Sequence, residues 1–392
     1  MSGTDLAQPD SEATTPSRRD RSATLDSLRG LAIVLVVLSH SWIVWPREKR
    51  NWIGPFEALF ASGNVAVSVF FVVSGFLVAR AWTQTNERYG VAGPLVWFTR
   101  RTVRILIQAW LLLVVIYVVN RVDSADRWSD SVTERSLVSA ATMTWNHYVR
   151  DNALLARSDI GALYFLSIDV QFFSAALLIF ILLRRWANIL LIVTTLTLLA
   201  SISWRYVAFH EHGWYFAALS TTTRMDAILW GVLAALAAPR LLGPWREWST
   251  QLVGATFLIL AGTVMAGAFY GAAEYFGALG VVTGAAAALL VLADSMREDR
   301  DSLIDRILAH KRLTWLGQSS LTIFLWHIPV FEWIATHTPT WDLLPRTFAA
   351  IGLLAVIVVI VEQLVSRPLT AATRRWGRPA PQAPTVESVP RT

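Results

Sequence analysis

The feature that most constrains this chain is a series of apolar segments of about 18 to 23 residues that follow one another along most of its length. A helix of that length crosses the hydrocarbon core of a bilayer. Only 16% of the 392 residues are charged, whereas soluble domains carry about 25%. The pattern therefore predicts an all-α, polytopic membrane bundle of about ten transmembrane helices. The predicted spans are residues 27–45, 64–82, 102–120, 161–183, 187–204, 221–238, 251–269, 275–293, 313–334 and 345–365.

Polar segments flank the apolar region at both ends. Residues 1–23 are rich in Ser, Thr, Asp and Pro, and residues 367–392 are rich in Pro and Arg, so both are predicted to be disordered tails. One membrane domain is therefore expected over residues 24–366. A cleaved signal peptide is the alternative for the first apolar segment, but no small-residue cleavage site follows it, which favours a retained span.

Arginines concentrate in the loops on one side of the predicted membrane. Ten spans put both termini on the same side, and the loops of that side hold the arginines of segments 80–104, 184–185, 240–246 and 297–312. Cytoplasmic loops of membrane proteins carry an excess of basic residues. Both termini are therefore predicted to be cytoplasmic, although the basic loop at residues 46–52 on the opposite side runs against this trend.

The composition also excludes several kinds of chemistry. There is no cysteine, so disulfides, cysteine-based metal sites and an acyl-cysteine intermediate are excluded. The net charge of +6 follows the loop pattern and not a basic stripe, which argues against nucleic-acid binding. His210, Glu211 and His212 are too clustered to make a convincing metal site, and no metal is expected. All but two of the basic residues are arginine, a bias typical of GC-rich bacterial genomes.

Arg29 and His40 are the most informative polar residues within a predicted span. At about 100° per residue, the eleven residue steps from Arg29 to His40 return the second side chain to within about 20° of the first, so both project from one helix face. They lie roughly 16 Å apart along the axis. This face carries a cation near the membrane surface and a titratable base beyond mid-depth. Snorkelling of Arg29 and a structural hydrogen bond of His40 are the alternatives.

Asp169 is a second ionisable residue at membrane depth. A carboxylate there either takes up a proton or pairs with a cation or an imidazole. Asp169 could orient His40 and stabilise its imidazolium, or it could make a structural contact between helices. Arg224 and Asp226 open the sixth predicted span, and a structural pair between them is favoured.

Two further positions combine small or basic residues with helix ends. Ser74 and Gly75 end an apolar run; small residues let helices approach closely, and a backbone exposed at Gly75 could equally line a tunnel. Arg101 and Arg104 lie one turn apart near a predicted helix start. Their guanidinium groups suit phosphate binding, with contacts to inner-leaflet lipids as the alternative.

Aromatic residues accompany polar ones at two more places. Trp326 and His327 lie near a predicted kink and are interpreted as structural or channel-lining. The longest predicted external loop, residues 121–160, contains Trp128 and Trp145. Its aromatic residues are predicted to form an interfacial belt, with a platform for stacking on sugar rings as the alternative.

These polar positions belong to five short motifs. They are Leu25–Gly30 leading to His40, Phe71–Phe76, Arg101–Arg104, Leu166–Phe173, and Leu316–Ser320 running into Leu325–Pro329. In this order on ten spans, they resemble the motifs of the acyltransferase-3 family of bacterial integral-membrane O-acyltransferases. Arg29 and His40 look like its Arg-x10-His motif. The resemblance covers about residues 24–366.

The chain departs from the family's pattern in two ways. Val170 follows Asp169 where the family's segment has a second acidic residue, which puts a mechanism with two carboxylates here in doubt. The sequence also has no C-terminal SGNH-type domain of the kind that some members carry. We therefore expect any acceptor chemistry to finish within the membrane domain or on a separate protein.

The resemblance implies an O-acyltransferase of the bacterial inner (plasma) membrane. It would move an acyl group, with acetyl expected, from cytoplasmic acyl-CoA to a hydroxyl of a glycan or glycolipid. Acyl-CoA is then a donor substrate, and no bound cofactor is expected. The hypothesised roles are a general base for His40, its orientation by Asp169, oxyanion stabilisation by Ser74, phosphate binding by Arg29, Arg101 and Arg104, and a substrate channel lined by Gly75, Trp326 and His327.

A proton-coupled transporter or lipid flippase is the competing class. His40 and Asp169 would then form a proton relay. Such transporters often contain inverted repeats with broken helices at the midplane, and the sequence shows no pair of spans broken by Gly or Pro in this way. The enzyme is therefore the favoured prediction.

Overall fold

The computed structural model describes residues 20–46, 48, 51–241, 245–297, 303–374 and 376, and that part of the chain is helical without β-strands. Segments 1–19 and 377–392, which belong to the predicted tails, lie outside the described residues. The same holds for Arg47, Lys49 and Arg50 of the basic loop at residues 46–52. The helices are α1 (Asp20–His40), α2 (Glu57–Ala61), α3 (Gly63–Tyr89), α4 (Ala92–Val122), α5 (Asp130–Ala141), α6 (Trp145–Asp151), α7 (Tyr164–Leu183), α8 (Ala187–Leu219), α9 (Thr221–Leu241), α10 (Ser249–Glu274), α11 (Gly280–Met296), α12 (Leu303–Leu308), α13 (Lys311–Gln318), α14 (Ser320–His337), α15 (Leu343–Val361) and α16 (Arg367–Arg374).

Eight helical segments of the described residues are long and apolar enough to cross a bilayer. They are Ala23–Ile43, Gly63–Tyr89, Ala92–Val122, Gly161–Leu183, Ala187–Leu219, Ser249–Gly267, Tyr275–Met296 and Leu343–Arg374. The predicted polytopic helical bundle is thus confirmed. The other two predicted spans form α9 and α14, which carry charged residues such as Asp226 and Glu332. Both helices are largely buried, because these polar groups need partners inside the protein.

Helix α3 packs against α1, α4, α9 and α11 and is the most buried of the candidate spans. Its approach to α9 is very close: a Cβ on Gly75 would lie 2.1 Å from the carbonyl oxygen of Ile228, and one on Gly231 would lie 1.9 Å from that of Val72. Only glycine fits at these two positions, which is how small residues allow helix backbones to touch in membranes. Gly75 therefore has a packing role.

Buried ionic contacts join the helices around α9. Asp226 forms an ion pair with Arg205 of α8 at 2.6 Å, and both side chains are nearly inaccessible. Arg224 instead donates to the hydroxyl of Tyr275 at 3.4 Å. The favoured pairing of Arg224 with Asp226 is therefore wrong, because residues two apart on a helix do not face each other. The structural interpretation of these residues otherwise agrees with their burial.

Two regions that the sequence predicts to be irregular contain helices. The loop at residues 121–160 includes α5 and α6, and Trp145 is fully buried with its indole N–H donating to the carbonyl of Gly161 at 3.3 Å. Trp145 is therefore part of the core and belongs neither to a belt nor to an exposed platform. The predicted C-terminal tail begins with α16, which packs against α4.

Candidate active site

The larger of the two cavities described here opens at the end of the bundle where α1 and α14 begin. It has a volume of about 850 Å³ and is lined by residues of α1, α3, α4, α7, α13, α14 and α16. Five arginines contribute to its wall, against three acidic residues, and we call it the basic cavity. The arginines are Arg29, Arg101, Arg104, Arg367 and Arg374, and the acids are Asp26, Asp169 and Glu362.

Contacts with two neighbouring side chains hold Arg29 at the wall of the basic cavity. Its Nη2 donates to the hydroxyl of Ser320 at the start of α14, at 2.9 Å. Its Nη1 lies 3.7 Å from Asp26, one turn earlier on α1. Asp26 also accepts a hydrogen bond from Gln318 at 3.1 Å. These contacts hold the guanidinium of Arg29 in a partly exposed position at the cavity wall.

Arg101, Ser74 and Asp169 form a connected polar cluster in the same wall. Nη2 of Arg101 lies 2.9 Å and 2.8 Å from the two carboxylate oxygens of Asp169. The hydroxyl of Ser74 donates to Asp169 at 3.0 Å and accepts from Arg101 at 2.9 Å. The guanidinium also lies over the ring of Phe173, 5.1 Å from its centroid. Asp169 thus holds Arg101 in place.

The predicted contact between Asp169 and His40 is wrong. The oxygens of Asp169 are engaged by Arg101 and Ser74, because a guanidinium that is always charged is a stronger partner for a carboxylate than a neutral imidazole. The hydroxyl hydrogen of Ser74 is likewise directed to Asp169 and not towards the cavity. The catalytic roles suggested for Asp169 and Ser74 remain predictions.

Arg104 supplies positive charge that no acidic residue of the described chain neutralises through an ion pair. It is half-buried and faces the like charges of Arg101 and Arg374. Arg367 and Arg374 of α16 are exposed at the mouth of the basic cavity. A concentration of guanidinium groups in a concave site favours an anion, and guanidinium geometry suits phosphate. Arg367 and Arg374 were missed as site residues because their segment reads as an unfolded tail.

His40 and His327 form a close pair between α1 and α14. Nε2 of His327 lies 3.3 Å from Nδ1 of His40, and the ring centroids are 5.0 Å apart in an edge-to-face arrangement. Nδ1 of His40 lies 2.9 Å from the carbonyl of Val36, and Nδ1 of His327 lies 2.8 Å from that of Phe324. The sequence places both histidines in spans but gives no sign of their contact.

The carbonyl contacts assign the tautomers of the neutral pair. A carbonyl oxygen only accepts, so each Nδ1 must carry its hydrogen. Nε2 of His327 is then unprotonated and accepts a hydrogen bond from the Nδ1–H of His40. The same N–H also donates to the carbonyl oxygen of Val36. The unprotonated Nε2 of His40 has no hydrogen-bond partner among the described residues. His40 therefore presents a free basic nitrogen, while His327 supports its opposite side, an arrangement suited to general base catalysis.

An aromatic layer lies between the basic cavity and the histidine pair. Phe165 and Phe324 line the cavity, and their ring centroids are 5.1 Å apart. The ring of His327 lies just beyond Phe324, at 5.8 Å between centroids. His40 and His327 belong to the lining of neither cavity, so the pair sits behind this layer and not in an open channel.

A second cavity, of about 330 Å³, lies near the opposite ends of α4 and α14. Three tryptophans line it, and we call it the tryptophan cavity. The tryptophans are Trp128, Trp326 and Trp333. Four carboxylates and two arginines from the adjoining loops and α14 also line this cavity. Trp326, a predicted channel residue, therefore does line a cavity, whereas Gly75 lines neither of the two. His327 contacts Phe324 of the basic cavity and follows Trp326 of the tryptophan cavity along α14, so the histidine pair adjoins residues that line each cavity.

The helical bundle carries an arginine-lined cavity, a histidine pair between α1 and α14, and a second cavity lined by tryptophans and carboxylates. The chain belongs to the acyltransferase-3 family, whose acyltransferase domain matches residues 22–362. The family resemblance predicted from the motifs is thus confirmed.

One curated relative extends the comparison. The chain is 25% identical over 378 residues to the peptidoglycan O-acetyltransferase OatA of Listeria monocytogenes, in a match that covers 89% of this chain and 55% of the relative. The chain therefore spans about half the length of that curated relative. No solved structure matches the chain.

Proposed function

We propose that this acyltransferase moves an acetyl or other acyl group from acyl-CoA to a hydroxyl group, with His40 as the general base. The observation that carries the proposal is the position of the His40–His327 pair beyond an arginine-lined cavity. The relative OatA is named for O-acetylation of peptidoglycan, which favours acetyl as the group and a glycan or glycolipid of the cell envelope as the acceptor.

The basic cavity is the proposed site of the donor. Coenzyme A carries several phosphates, and Arg29, Arg101 and Arg104 offer guanidinium groups from two helices, with Arg367 and Arg374 at the mouth. Fork-shaped guanidinium groups bind phosphate through paired hydrogen bonds. The cavity volume of about 850 Å³ lies at the upper end of ordinary ligand pockets, which hold about 300 to 1,000 Å³. The pantetheine arm would pass the aromatic layer to bring the thioester to His40.

The chemistry at the histidine pair follows from the tautomers. Nε2 of His40 takes the proton of the acceptor hydroxyl as its oxygen attacks the thioester carbonyl. The new C–O bond forms, the C–S bond breaks, and the departing thiolate takes the proton back from the imidazolium. Nε2 of His327, 3.3 Å from Nδ1 of His40, holds the ring in place and stabilises the positive charge that develops on it.

The proposed orientation puts the basic cavity in the cytoplasm. Arg100, Arg101, Arg104 and the arginines of α16 lie at one end of the bundle, and excess basic residues mark the cytoplasmic side. Both ends of the chain would then lie in the cytoplasm of a bacterium, with the protein in its inner membrane. The donor would enter from the cytoplasm, where acyl-CoA is made, and the acceptor would enter from the opposite side.

Vesicles that contain the full-length protein test this proposal against a transporter. We expect labelled acetyl-CoA, supplied on the side of the basic cavity, to leave label covalently bound to an acceptor and to release free coenzyme A in equal amount. Mass analysis of the labelled product identifies the acceptor. Movement of a solute across the membrane with no loss of the acetyl group would contradict the proposal and favour the transporter.

Replacing Arg104 with alanine tests the donor site. Because Arg104 is not engaged by an acidic partner among the described residues, its loss should weaken donor binding without breaking an ion pair. We expect the apparent KM for acetyl-CoA to rise about tenfold, equivalent to about 1.4 kcal/mol, with little change in kcat. Initial rates over a range of acetyl-CoA concentrations measure this effect. Arg88→Ala, which removes an exposed arginine outside the basic cavity, is the matched control, and equal KM values for the two variants would remove Arg104 from the donor site.

A further inference from the structure

The tryptophan cavity has a rim that is held rigidly by buried charges. Arg157 is 2% exposed and donates to both oxygens of Asp159, at 3.0 Å from Nε and 2.7 Å from Nη2. Its Nη1 donates to Asp126 at 2.9 Å and to Thr133 at 2.8 Å. Burial lowers the pKa of Arg157, but its contacts with Asp159 and Asp126 outweigh this effect and raise the pKa above its ordinary value. The network fixes two loops and α5 around the cavity.

A second polar group completes the rim from α14. One oxygen of Glu332 accepts from the hydroxyl of Ser158 at 2.9 Å and from Arg127 at 3.2 Å. Its other oxygen has no hydrogen bond to any described residue. The guanidinium of Arg127 in turn lies over the ring of Trp128, 5.1 Å from the centroid. The rim thus offers a carboxylate oxygen whose acceptor capacity is unused, next to an aromatic face.

The tryptophans of this cavity are held differently from one another. The indole N–H of Trp333 donates to Asp123 at 3.1 Å, and its ring stacks on His337 with 4.3 Å between centroids. Trp326 is 6% exposed, and its indole N–H has no acceptor within the described chain. A buried N–H without a partner is uncommon and costs free energy. A ligand hydroxyl in the cavity could satisfy it.

The charges of the two cavities are opposite in sign. Four carboxylates and two arginines line the tryptophan cavity, whereas five arginines and three acids line the basic cavity. An excess of carboxylates disfavours a phosphorylated ligand in the tryptophan cavity, because like charges repel. Carboxylate oxygens accept hydrogen bonds from hydroxyl and amino groups, and flat indole faces pack against the C–H face of a sugar ring. The chemistry of the wall matches a sugar without phosphate.

The deeper wall of the tryptophan cavity is apolar. Val115 and Val119 of α4 and Leu353 and Ile357 of α15 line it, and all four are only half-buried. The cavity therefore joins a polar rim at the end of the bundle to an apolar surface at membrane depth. A sugar ring fits the rim whether it belongs to a water-soluble glycan or is attached to a lipid chain that lies along this apolar surface.

We propose that the tryptophan cavity is the acceptor subsite and that it binds a sugar ring that carries no phosphate. The inference rests on the proposed function, in which acyl-CoA occupies the basic cavity and His40 is the base. The two cavities then deliver donor and acceptor from opposite ends of the bundle. Trp326 of the cavity wall precedes His327, whose ring contacts His40, so the acceptor hydroxyl would approach from this end of the bundle and meet the thioester at Nε2 of His40.

Binding to the full-length protein in lipid nanodiscs tests the inference, with sugar-based detergents removed. The probes are chitotetraose, the octyl glycoside of N-acetylglucosamine and N-acetylglucosamine 1-phosphate, each measured by calorimetric titration. We expect saturable binding of at least one neutral probe, and binding of the phosphorylated probe at least about tenfold weaker. Preference for the soluble or the lipid-attached probe then identifies the source of the sugar. The inference is overturned if neither neutral probe binds saturably, or if the phosphorylated probe binds more tightly.

Matched variants locate the binding site. Glu332→Gln keeps the size of the side chain and removes its charge. Trp326→Phe keeps an aromatic ring and removes the unpartnered indole N–H. Trp333→Ala removes an indole face. We expect each to weaken binding of the neutral probe about three- to tenfold. Trp341→Ala, which removes an exposed tryptophan outside the cavity lining, should bind as the unmodified protein does. Equal affinity of all four variants would overturn the inference.

Kinetics separate this inference from the proposed function. We expect Glu332→Gln to raise the KM for the acceptor while the KM for acetyl-CoA stays the same. If the unmodified protein transfers acetyl groups but Glu332→Gln, Trp326→Phe and Trp333→Ala leave the acceptor KM unchanged, the acceptor subsite lies elsewhere and the proposed function stands. If the unmodified protein binds neutral sugar in this cavity but transfers no acyl group, the proposed function fails and the sugar site remains.

Discussion

Replacing His40 with alanine is expected to abolish measurable acyl transfer. General base catalysis by a positioned side chain contributes about 10²- to 10⁴-fold in rate, and Nε2 of His40 is the nitrogen of the pair that carries a free lone pair. The measurement is the rate of label transfer from acetyl-CoA in vesicles at saturating donor. Binding of acetyl-CoA should be retained, because His40 lies outside the basic cavity.

The control for this prediction is His210→Ala. His210 is exposed on α8 and takes part in neither cavity, so its loss should leave the rate unchanged. Thermal denaturation of both variants in nanodiscs checks that folding is preserved. Near-normal turnover of His40→Ala, together with a loss in His327→Ala, would assign the base to His327 and contradict the tautomers assigned to the pair.

Replacing Asp169 with asparagine is expected to lower both stability and donor affinity. The side chain of Asp169 is 4% exposed and that of Arg101 is 20% exposed, so the change leaves a largely buried guanidinium without its counter-charge. Breaking a fully buried ion pair costs about 3 to 5 kcal/mol. Because Arg101 keeps some access to solvent, we expect about 2 to 3 kcal/mol here. The shift of the thermal denaturation midpoint in nanodiscs measures the loss.

The double variant Arg101→Met/Asp169→Leu distinguishes stability from function. Replacing both partners of a buried ion pair with apolar residues is often neutral for stability, so the double variant should denature close to the unmodified protein. It should nevertheless keep a raised KM for acetyl-CoA, because the phosphate ligand Arg101 is gone. Asp130→Asn, which breaks the exposed pair with Arg121, serves as the control and should leave the denaturation midpoint nearly unchanged, because solvent screens exposed ion pairs. A normal donor KM in the double variant would show that the Arg101–Asp169 pair is structural only.

The first span shows how far local sequence patterns carry. Helical periodicity places Arg29 and His40 on one face of one helix, and the structure has Arg29 at the wall of the basic cavity with His40 further along α1. Periodicity says nothing about the partner of His40, because His327 lies 287 residues away in the sequence. The same limit applies to Asp169, whose partner Arg101 is on α4. A charged residue within a predicted span indicates that it has a partner, but only the packing of the helices identifies that partner.

The tryptophan cavity illustrates a second limit of prediction from sequence. Arg157, Asp126 and Asp159 lie in loops, where charged residues are ordinarily solvated, and their sequence carries no recognisable motif. In the structure α5 and α6 cover this region and bury Arg157 with both carboxylates. Burial of a paired charge cannot be read from composition, because it depends on how neighbouring helices close over the loop.

The sequence by itself determined the membrane bundle, the family and the residue types available for chemistry. Apolar length and charge patterning are local properties, and a bilayer selects helices from them directly because every backbone polar group must be satisfied within its own segment. Tertiary structure alone decided which polar groups meet: His40 with His327, Asp169 with Arg101 and Ser74, and Asp226 with Arg205. Contacts between helices depend on their relative rotation and spacing, which close steric fits such as Gly75 and Gly231 against opposing backbones set. The packing of the helices thereby brings polar residues that are distant in sequence together in the basic cavity, the histidine pair and the tryptophan cavity.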